Sequence, residues 1–371
     1  MKPSIIQMLS SLALSASLLF IPNLVRDLFP KDTDIGIISG ISGIIGVVYY
    51  LSIFISSFIF GRASDVYNRR FLLRLGLGIS VLTFLLQVFA DPSLFPFANP
   101  LLLAVARGLV GFSLGMFPAA LTAHVYESGS LLGRFTSFGS LGWAMGTFIA
   151  GLISLYWGIF LLSSVCFLLA FLISLKMTEV SSPRLEVPFF PKKLLKKNWF
   201  VFLPFFLRHT GANCIWVIYP LYITSLGGNK FWIGVIYMVN TASQFFVMRF
   251  ADRFRDRALI VSGFLLSFIT FLSFSFAQVF YHLLPMQVIL GCSWSCIYVG
   301  SLFYLMKNNI EKATSTGILS SVISLAAVFG SLIGGVIAQF FGFTATMYAA
   351  AVLTAAGFVL NRIGMRKSST L

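Results

Sequence analysis

Two arginines stand inside long apolar runs of the sequence. Arg208 lies near the middle of one run, and Arg107 lies in the first third of another. If these runs cross a bilayer, a charge at their centre costs about 3 kcal/mol or more, so a residue that keeps it there is a candidate for function. Guanidinium groups bind anions and other strong hydrogen-bond acceptors. We therefore predict that both arginines bind substrate; a structural role for Arg107, as a cap on backbone carbonyls, stays open.

Aromatic and amide side chains with polar tips recur at helical spacing in the same and neighbouring runs. At 100° per residue, Tyr219 projects within about 20° of Arg208, so the two side chains can share one helix face. The other predicted members lie within a turn or two of one another on their own helices. Besides the arginines, the predicted substrate-binding residues are Trp216, Tyr219, Asn240, Gln244, Trp294 and Tyr298. For the aromatic residues, packing in the core or against lipid is the competing interpretation.

The sequence has no pattern for metal or nucleotide chemistry. Its four cysteines lie inside apolar runs without a histidine at ligand spacing, and it has no glycine-rich phosphate loop. The 11 Asp and Glu residues fall at the ends of apolar runs or between them, whereas proton-coupled carriers commonly use a buried acid. We predict that the protein is not an enzyme and uses no cofactor and no metal. Coupling to a gradient of H⁺ or Na⁺ stays open.

Helices that cross a membrane must position these residues. Of 371 residues 58% are hydrophobic and 10% are charged, whereas soluble domains carry about 25% charged residues. In hydrocarbon every backbone N–H and C=O must be paired internally, so an apolar stretch of about 20 residues forms a helix. We predict an all-α membrane protein with twelve transmembrane helices, at residues 5–24, 35–60, 71–90, 100–125, 135–155, 158–176, 199–226, 231–250, 258–276, 281–305, 314–340 and 343–361.

The basic residues between the apolar runs indicate the orientation of the chain. With the N-terminus in the cytoplasm, only Arg26, Lys31 and Lys230 lie on the outer side, as the positive-inside rule requires. The net charge of +15 therefore reports topology and does not indicate a nucleic-acid partner. We predict a multi-pass protein of the plasma membrane, surrounded by lipid, with both termini in the cytoplasm.

The two halves of the chain repeat one another. Asp65 in the first half corresponds to Asp252 in the second, and Glu127 corresponds to Glu311 at nearly the same offset. Repeats of this kind form two parallel six-helix bundles. We predict two pseudo-symmetric six-helix bundles at 1–177 and 199–371, joined by a proline-rich, basic cytoplasmic linker at 178–198.

The loop after the second predicted helix carries a dense group of charges. Residues 61–70 read Gly-Arg-Ala-Ser-Asp-Val-Tyr-Asn-Arg-Arg. The loop resembles the cytoplasmic signature of the major facilitator superfamily, G-x-x-x-D-[RK]-x-G-[RK]-[RK], with Val66 and Asn68 as departures. Asp65 at a helix end can bind guanidinium groups and the positive N-terminus of another helix. The resemblance implies a secondary transporter with the fold of that superfamily, working by alternating access.

Further positions resemble the same family. Arg107 followed by Gly108 and Gly111 looks like the family's motif in helix four, and Glu127 with Arg134 is similar to a charge pair that flanks the next loop. Ordinary interface charges are the alternative interpretation. The predicted cytoplasmic gate comprises Gly61, Asp65, Arg69, Arg70, Glu127, Arg134, Asp252, Arg257 and Glu311.

Small residues recur at every fourth position in the fifth and eleventh predicted helices. In the fifth helix this stripe consists of Gly142, Gly146, Ala150 and Ser154. Small residues let helix backbones approach closely in lipid, so we predict packing seams on which helices slide. The predicted packing glycines are Gly142, Gly146, Gly151, Gly330, Gly334 and Gly335.

These patterns together predict a monomeric transporter, secondary active or facilitative, that moves a small solute by rocker-switch alternating access. Aromatic residues make up 16% of the chain, which favours efflux of amphipathic compounds. An uptake permease for a sugar or a small organic anion is the alternative, and embedded arginines without embedded acids favour an anionic substrate. A receptor without transport activity is a further alternative, because a fold does not dictate an activity.

Overall fold

A computed structural model of the protein describes residues 1–153, 155–177 and 184–368. Ser154, from the stripe of small residues, and residues 178–183 of the predicted linker lie outside the described residues. Within these ranges the secondary structure is helical and contains no β-strand. The helices are α1 (Lys2–Leu19), α2 (Ile21–Asp27), α3 (Ile35–Val66), α4 (Arg69–Leu86), α5 (Pro100–Met116), α6 (Pro118–Glu127), α7 (Leu132–Ile153), α8 (Tyr156–Leu175), α9 (Lys192–Lys197), α10 (Trp199–Ser225), α11 (Lys230–Ala251), α12 (Asp256–Phe274), α13 (Leu283–Asn308) and α14 (Lys312–Ser368).

The helices have the length and the surface of membrane spans. In the described part of the chain, 11 helical segments are long and apolar enough to cross a bilayer. Large apolar side chains stand exposed on them, among them Leu101 at 74%, Leu152 at 69% and Phe341 at 74%. Such exposure is unfavourable in water and favourable in lipid. The prediction of an all-α membrane protein is confirmed.

The last helical segment, α14, is interrupted at Gly342. This glycine has φ 82° and ψ 175°, a conformation that residues with a Cβ rarely adopt. A continuous helix of 57 residues that rose about 1.5 Å per residue would far exceed the ~30 Å of a bilayer core, and Gly342 divides the segment into two shorter helical parts. Gly342 lies between the predicted eleventh and twelfth helices, and the count of twelve stays a prediction.

Caps and prolines set other helix boundaries. Asp34 caps α3 by accepting from the Gly36 N–H at 2.7 Å, and Asn68 caps α4 by accepting from the Phe71 N–H at 3.0 Å. Asn68 has φ −71°, which lies outside the left-handed region. The backbone at this position therefore does not require the glycine of the family signature. The predicted fourth helix divides into α5 and α6, because Pro118 has no N–H to continue the hydrogen bonding of α5.

The described chain divides into two units. Unit 1 comprises Met1–Leu131, Phe138–Phe189 and Glu311–Ser321, and unit 2 comprises Leu132–Ser137, Phe190–Ile310 and Val322–Leu371. Thus α7 begins in unit 2 and continues in unit 1, whereas α14 begins in unit 1 and continues in unit 2. The bundle boundaries predicted from the sequence stay a prediction.

In unit 1, helix packing relies on close backbone approach. Helix α3 packs on α5, and α1 packs on α8. A Cβ built at Gly115 of α5 would lie 2.7 Å from the backbone nitrogen of Ser57, and one at Gly111 would meet the carbonyl oxygen of Tyr49. The glycines that follow Arg107 therefore serve the α3–α5 interface.

In unit 2, aromatic side chains fill the interior. Helix α13 packs on both α11 and α12, and a core cluster of this unit includes Tyr219, Tyr222, Phe271 and Phe274. The Tyr222 hydroxyl donates to the Phe274 carbonyl at 2.5 Å, so its polar tip is satisfied inside the core.

Candidate functional site

The carboxylate of Asp65 lies at the first turn of α14, within unit 1. It accepts hydrogen bonds from the N–H of Ala313 at 3.2 Å, the N–H of Thr314 at 2.7 Å and the Thr314 hydroxyl at 2.8 Å. Asp65 is 2% exposed, so its charge depends on these donors rather than on water. The N-terminus of a helix carries a partial positive charge and unpaired N–H groups, which a carboxylate stabilises.

Arg69 joins Asp65 to a second carboxylate. Its Nη2 donates to Asp65 Oδ1 at 2.9 Å, and its Nη1 donates to Glu127 Oε2 at the end of α6. The structure thus pairs Glu127 with Arg69. The Arg134 side chain is exposed and forms no ion pair among the described residues. Three of the predicted gate residues therefore form one connected group of charges.

Gly61 lets α3 approach α14 in unit 1. A Cβ at Gly61 would lie 2.7 Å from the Cα of Gly317 and 3.0 Å from the Ala313 carbonyl oxygen. One helical turn further along α14, the Ser321 hydroxyl donates to the Phe54 carbonyl at 2.8 Å. Gly317 is a packing glycine that sequence reasoning missed, because nothing in the chain indicates which glycine faces a second one.

Asp252, at the end of α11, makes the corresponding contact in unit 2. Its Oδ1 accepts from the Gly133 N–H at 2.8 Å, and its Oδ2 accepts from the Arg134 N–H at 3.0 Å. Both donors belong to the first turn of α7. Arg134 therefore contributes its backbone to this contact and not its guanidinium group.

Three predicted gate residues lie at helix starts near these contacts. Arg70 is in the first turn of α4. The N–H of Arg257, in the first turn of α12, donates to Asp256 Oδ1 at 2.8 Å. The carbonyl of Glu311 accepts from the Ser315 N–H at 3.0 Å at the start of α14. A gating role for these charges stays a prediction.

Part of the predicted linker lies along the end of α3. The Leu185 N–H donates to the Asp65 carbonyl at 2.9 Å, and Arg62 Nε donates to the Val187 carbonyl at 2.9 Å. Arg62 also lies 5.9 Å from the centre of the Phe189 ring. Sequence reasoning missed this contact, because composition describes a linker without indicating what it binds.

Arg208 is surrounded by neutral groups inside unit 2. It is 2% exposed, and its Nε donates to Ser267 Oγ at 2.8 Å while Nη2 donates to Ser293 Oγ at 3.3 Å. Its guanidinium carbon lies 5.3 Å from the Phe271 ring and 5.7 Å from the Trp294 ring. An arginine has five N–H donors, and these bonds use two of them. The described hydrogen bonds therefore leave three of its N–H donors unused, and the partners named here carry no charge.

The predicted aromatic residues fall into two clusters, both in unit 2. Trp294 and Tyr298 stack with ring centres 5.2 Å apart and planes 8° apart, and His209 lies 5.1 Å from Trp294. Trp216 contacts Tyr219 at 5.4 Å. The first cluster contacts Arg208 through Trp294, whereas the second lies further along α10.

An amide network connects the second cluster to α11 and α13. Gln287 Nε2 donates to the Tyr219 hydroxyl at 2.5 Å, Asn240 Nδ2 donates to the Gln287 carbonyl at 3.3 Å, and Gln244 Nε2 donates to Asn240 Oδ1 at 2.7 Å. Gln287 is fully buried, and its Oε1 has no partner among the described residues. Sequence reasoning missed Gln287, although an amide inside an apolar run was the same signal that indicated Asn240.

Arg107 has neutral partners in unit 1. It is 1% exposed, its Nη1 donates to Gln87 Oε1 at 3.2 Å and to Ser17 Oγ at 3.5 Å, and its guanidinium carbon lies 4.1 Å from the Tyr49 ring. These partners are side chains, so within the described residues Arg107 does not act as a cap on backbone carbonyls. Gln87 and Ser17 were not predicted.

The described residues contain no group of three or more His, Cys, Asp or Glu side chains placed to hold a metal ion. The four cysteines are free: Cys166 and Cys214 are buried, and Cys292 and Cys296 are half-buried. Cys292 and Cys296 lie one turn apart on α13, whereas Cys166 lies on α8 and Cys214 on α10.

Four of the six predicted packing glycines lie in close contacts. A Cβ at Gly142 would lie 2.9 Å from the Met8 carbonyl carbon, and one at Gly334 would lie 2.8 Å from the Cys214 carbonyl carbon. Gly146 packs likewise on α1, and Gly330 on α10. These contacts form one seam in unit 1 and one in unit 2.

Gly151 and Gly335 lie outside these seams. No heavy atom is found within 4 Å of a Cβ built at either position. Gly151 follows Gly146 by five residues, which turns its Cβ direction about 140° away from the seam. A packing role for Gly151 and Gly335 stays a prediction.

We expect Gly334→Ala to lower the melting temperature of the purified protein and Gly335→Ala to leave it unchanged or raise it. Alanine is favoured over glycine in a helix by about 1 kcal/mol, but a methyl group forced into a packed contact costs about 1–3 kcal/mol. Thermal unfolding in detergent measures both. Equal shifts in the two neighbouring variants would contradict the seam on α10.

Comparison with known proteins places these features in a family. The sequence matches the family model described as Major Facilitator Superfamily over residues 4–314, with a second match over residues 201–368. No curated protein matches the sequence.

Two solved structures illustrate the likeness in fold. The chain is similar to the human organic anion transporter MFSD10 (TETRAN), with a TM-score of 0.76 and 15% identity over 97% of this chain and 98% of that chain. It is also similar to a bacterial homologue of the iron transporter ferroportin in an outward-facing state, with a TM-score of 0.79 and 12% identity over 98% of each chain. At these identities the likeness shows the fold alone.

Proposed function

The chain belongs to the Major Facilitator Superfamily, a family of membrane transporters, and from this membership we propose that it moves a small solute across the plasma membrane by rocker-switch alternating access. One observation supports the mechanism above the others. A carboxylate in each unit binds the N-terminus of a helix, Asp65 that of α14 and Asp252 that of α7. Each of these helices then continues in the other unit. In our proposal the two contacts form and break in each transport cycle, with both chain termini in the cytoplasm.

The substrate in the leading proposal is an amphipathic compound that the protein exports. Binding sites for such compounds present aromatic rings and a few hydrogen-bonding groups. Unit 2 provides rings with polar tips in Trp216, Tyr219 and Trp294, and a buried amide oxygen of Gln287 without a partner among the described residues.

A second candidate is transport of a small organic anion, and the buried arginines favour it. Arg107 and Arg208 have hydroxyl, amide and aromatic partners and no carboxylate among the partners described above. A negatively charged group on the solute would supply the missing counter-charge. An amphipathic anion would meet both requirements.

Dye accumulation in cells separates the candidates. Cells that produce the protein, cells with an empty vector and cells that produce Asp65→Asn are loaded with a cationic rhodamine or an anionic fluorescein derivative. Export predicts lower accumulation only in cells with the unaltered protein, and uptake of an anion predicts higher accumulation of the fluorescein derivative. Identical accumulation of both dyes in all three lines would count against both candidates.

The coupling of transport is tested in liposomes. Because Asp65 and Asp252 lie at helix ends and bind backbone donors, we propose that transport follows the solute gradient without H⁺ coupling. Purified protein in vesicles should therefore show the same initial rate with and without an imposed pH gradient. A rate that rises with an inward proton gradient would contradict this proposal, and the same assay with Na⁺ tests the other ion.

A further inference from the structure

The helix that precedes α10 presents four lysines at one end of unit 2. Lys192, Lys193, Lys196 and Lys197 are exposed, whereas Leu194 is 5% exposed. Asn198, directly after α9, donates from Nδ2 to Asn309 Oδ1 at 3.0 Å, and the Lys197 ammonium group donates to the Asn308 carbonyl. The helix is therefore held against the end of α13, and its charges face outward.

The C-terminal part of α14 lies beside α9. Asn361 Nδ2 donates to the Phe200 carbonyl at 2.7 Å, and a Cβ at Gly364 would lie 2.7 Å from Cγ of the same phenylalanine. Phe200 is the second residue of α10 and follows α9 by three positions. Arg362 and Arg366, both exposed, are thus at the same end of unit 2 as the four lysines.

An apolar groove adjoins these two arginines. It has a volume of about 250 Å³, and its walls are formed by Phe358, Val359, Arg362, Ile363 and Arg366. Val359 is 54% exposed and Ile363 is 45% exposed, and both belong to a segment that is apolar enough to cross a bilayer. The groove therefore opens toward lipid, with positive charge at its end.

We propose that this end of unit 2 binds an anionic phospholipid of the cytoplasmic leaflet. The binding surface, here called the basic end surface, consists of Lys192, Lys193, Lys196, Lys197, Arg362 and Arg366. The guanidinium groups of Arg362 and Arg366 bind the phosphate, and an acyl chain lies in the groove along Phe358 and Ile363. The lysines of α9 attract further anionic headgroups, and none of them forms an ion pair with an acid among the described residues.

The chemistry of the surface favours a lipid over other anions. A soluble anion would use the charges and leave the apolar groove empty, whereas a phospholipid uses both. A protein partner in the cytoplasm would reach the lysines but would not reach a groove on a membrane-spanning helix. Each basic residue near an anionic membrane surface strengthens binding about fivefold, so the basic end surface should distinguish anionic from zwitterionic lipid strongly.

Native mass spectrometry of the purified full chain tests the proposal. The protein is incubated with phosphatidylglycerol and phosphatidylcholine of the same acyl composition, and the ratio of retained adducts is measured. We expect the unaltered protein to prefer phosphatidylglycerol, R362Q/R366Q to lose at least about tenfold of that preference, and R362K/R366K to keep most of it. Replacing the four lysines of α9 by glutamine should also lower the preference for phosphatidylglycerol, and the remaining preference should depend less on salt concentration.

Matched charge removal elsewhere provides the control. Arg253 and Arg255 are exposed between α11 and α12 and lie outside the basic end surface, so R253Q/R255Q should retain the preference. An equal loss in this control, or an unchanged preference in R362Q/R366Q, would overturn the proposal. Full competition by soluble glycerol phosphate would overturn it as well, because such competition needs no acyl chain. Melting temperatures measured in phosphatidylcholine identify variants that are misfolded. If R362Q/R366Q is among them, the lipid preference of R362K/R366K, which keeps both positive charges, decides the outcome.

Discussion

Replacing Asp65 by asparagine is expected to release the first turn of α14 and to lower transport at least about tenfold. The carboxylate accepts three hydrogen bonds from Ala313 and Thr314 and forms an ion pair with Arg69. Asp65 itself is only 2% exposed. An amide of the same shape has no negative charge and only one acceptor atom. Removing one partner of a buried ion pair costs about 3–5 kcal/mol, and 1.4 kcal/mol is a factor of ten in an equilibrium. The ratio of the conformation that contains these contacts to the conformation without them should therefore fall at least about a hundredfold.

The labelling of a cysteine at Ser315 measures this change directly. Ser315 is fully buried one residue after the Asp65 contact, so S315C should react slowly with a maleimide when the four native cysteines are replaced by serine. Adding D65N should accelerate the reaction and reduce transport in the same cells. Asp252→Asn is the matched control and should have the smaller effect, because Asp252 is half-buried and holds α7 through two hydrogen bonds. Unchanged labelling together with unchanged transport in D65N would contradict the gating role.

Replacing Arg208 by glutamine is expected to abolish discrimination in favour of anionic solutes while leaving the protein stable. Its described partners are the two serine hydroxyls and two aromatic rings, and none is charged. Burying a charge is costly, so a neutral side chain of similar length should leave the melting temperature equal or higher. A hydrogen bond to a charged group contributes about 1.5–3 kcal/mol, so transport of an anion should fall at least about tenfold in kcat/KM. Transport of neutral solutes should change little.

Two comparisons separate this role from a structural one. Arg208→Lys keeps the charge and loses the planar pair of donors, so its loss should be intermediate. If Arg208 acts only in packing, R208Q will lower the melting temperature and reduce transport of every solute by the same factor. Arg107→Gln provides the corresponding measurement in unit 1, where Gln87 and Ser17 take the place of the serine pair.

At the predicted gate, the contacts of the charged segment at residues 61–70 could in part be predicted from the sequence. The spacing of Gly61, Asp65 and Arg69 predicted a carboxylate that could bind guanidinium groups and a helix N-terminus, and the structure places Asp65 on both kinds of donor. The motif carried this information because its residues are local neighbours, whose geometry follows from a helix end and the turn after it. The role of these contacts in gating stays a prediction.

The substrate-binding residues were less accessible from the sequence. Arg208 was prominent because it is a charge in an apolar run, yet its partners Ser267 and Ser293 are ordinary small residues in membrane helices. Gln287 was overlooked although it joins Tyr219 to Asn240. Their relation depends on how α12 and α13 are rotated against α10, and the weak amphipathic pattern of nearly uniformly apolar helices does not encode that rotation.

By itself, the sequence determined that this chain is a helical membrane protein with a family signature, because lipid forces apolar stretches into helices and local spacing defines a motif. Only the tertiary structure decided which residues meet across long separations. It pairs Glu127 with Arg69 instead of Arg134, sets Gly61 against Gly317, and leaves Gly335 in open space beside the packed Gly334. The physical reason is that contacts between apolar helices depend on side-chain direction and backbone approach within a few tenths of an ångström, and neither quantity is recorded by hydrophobicity or residue type.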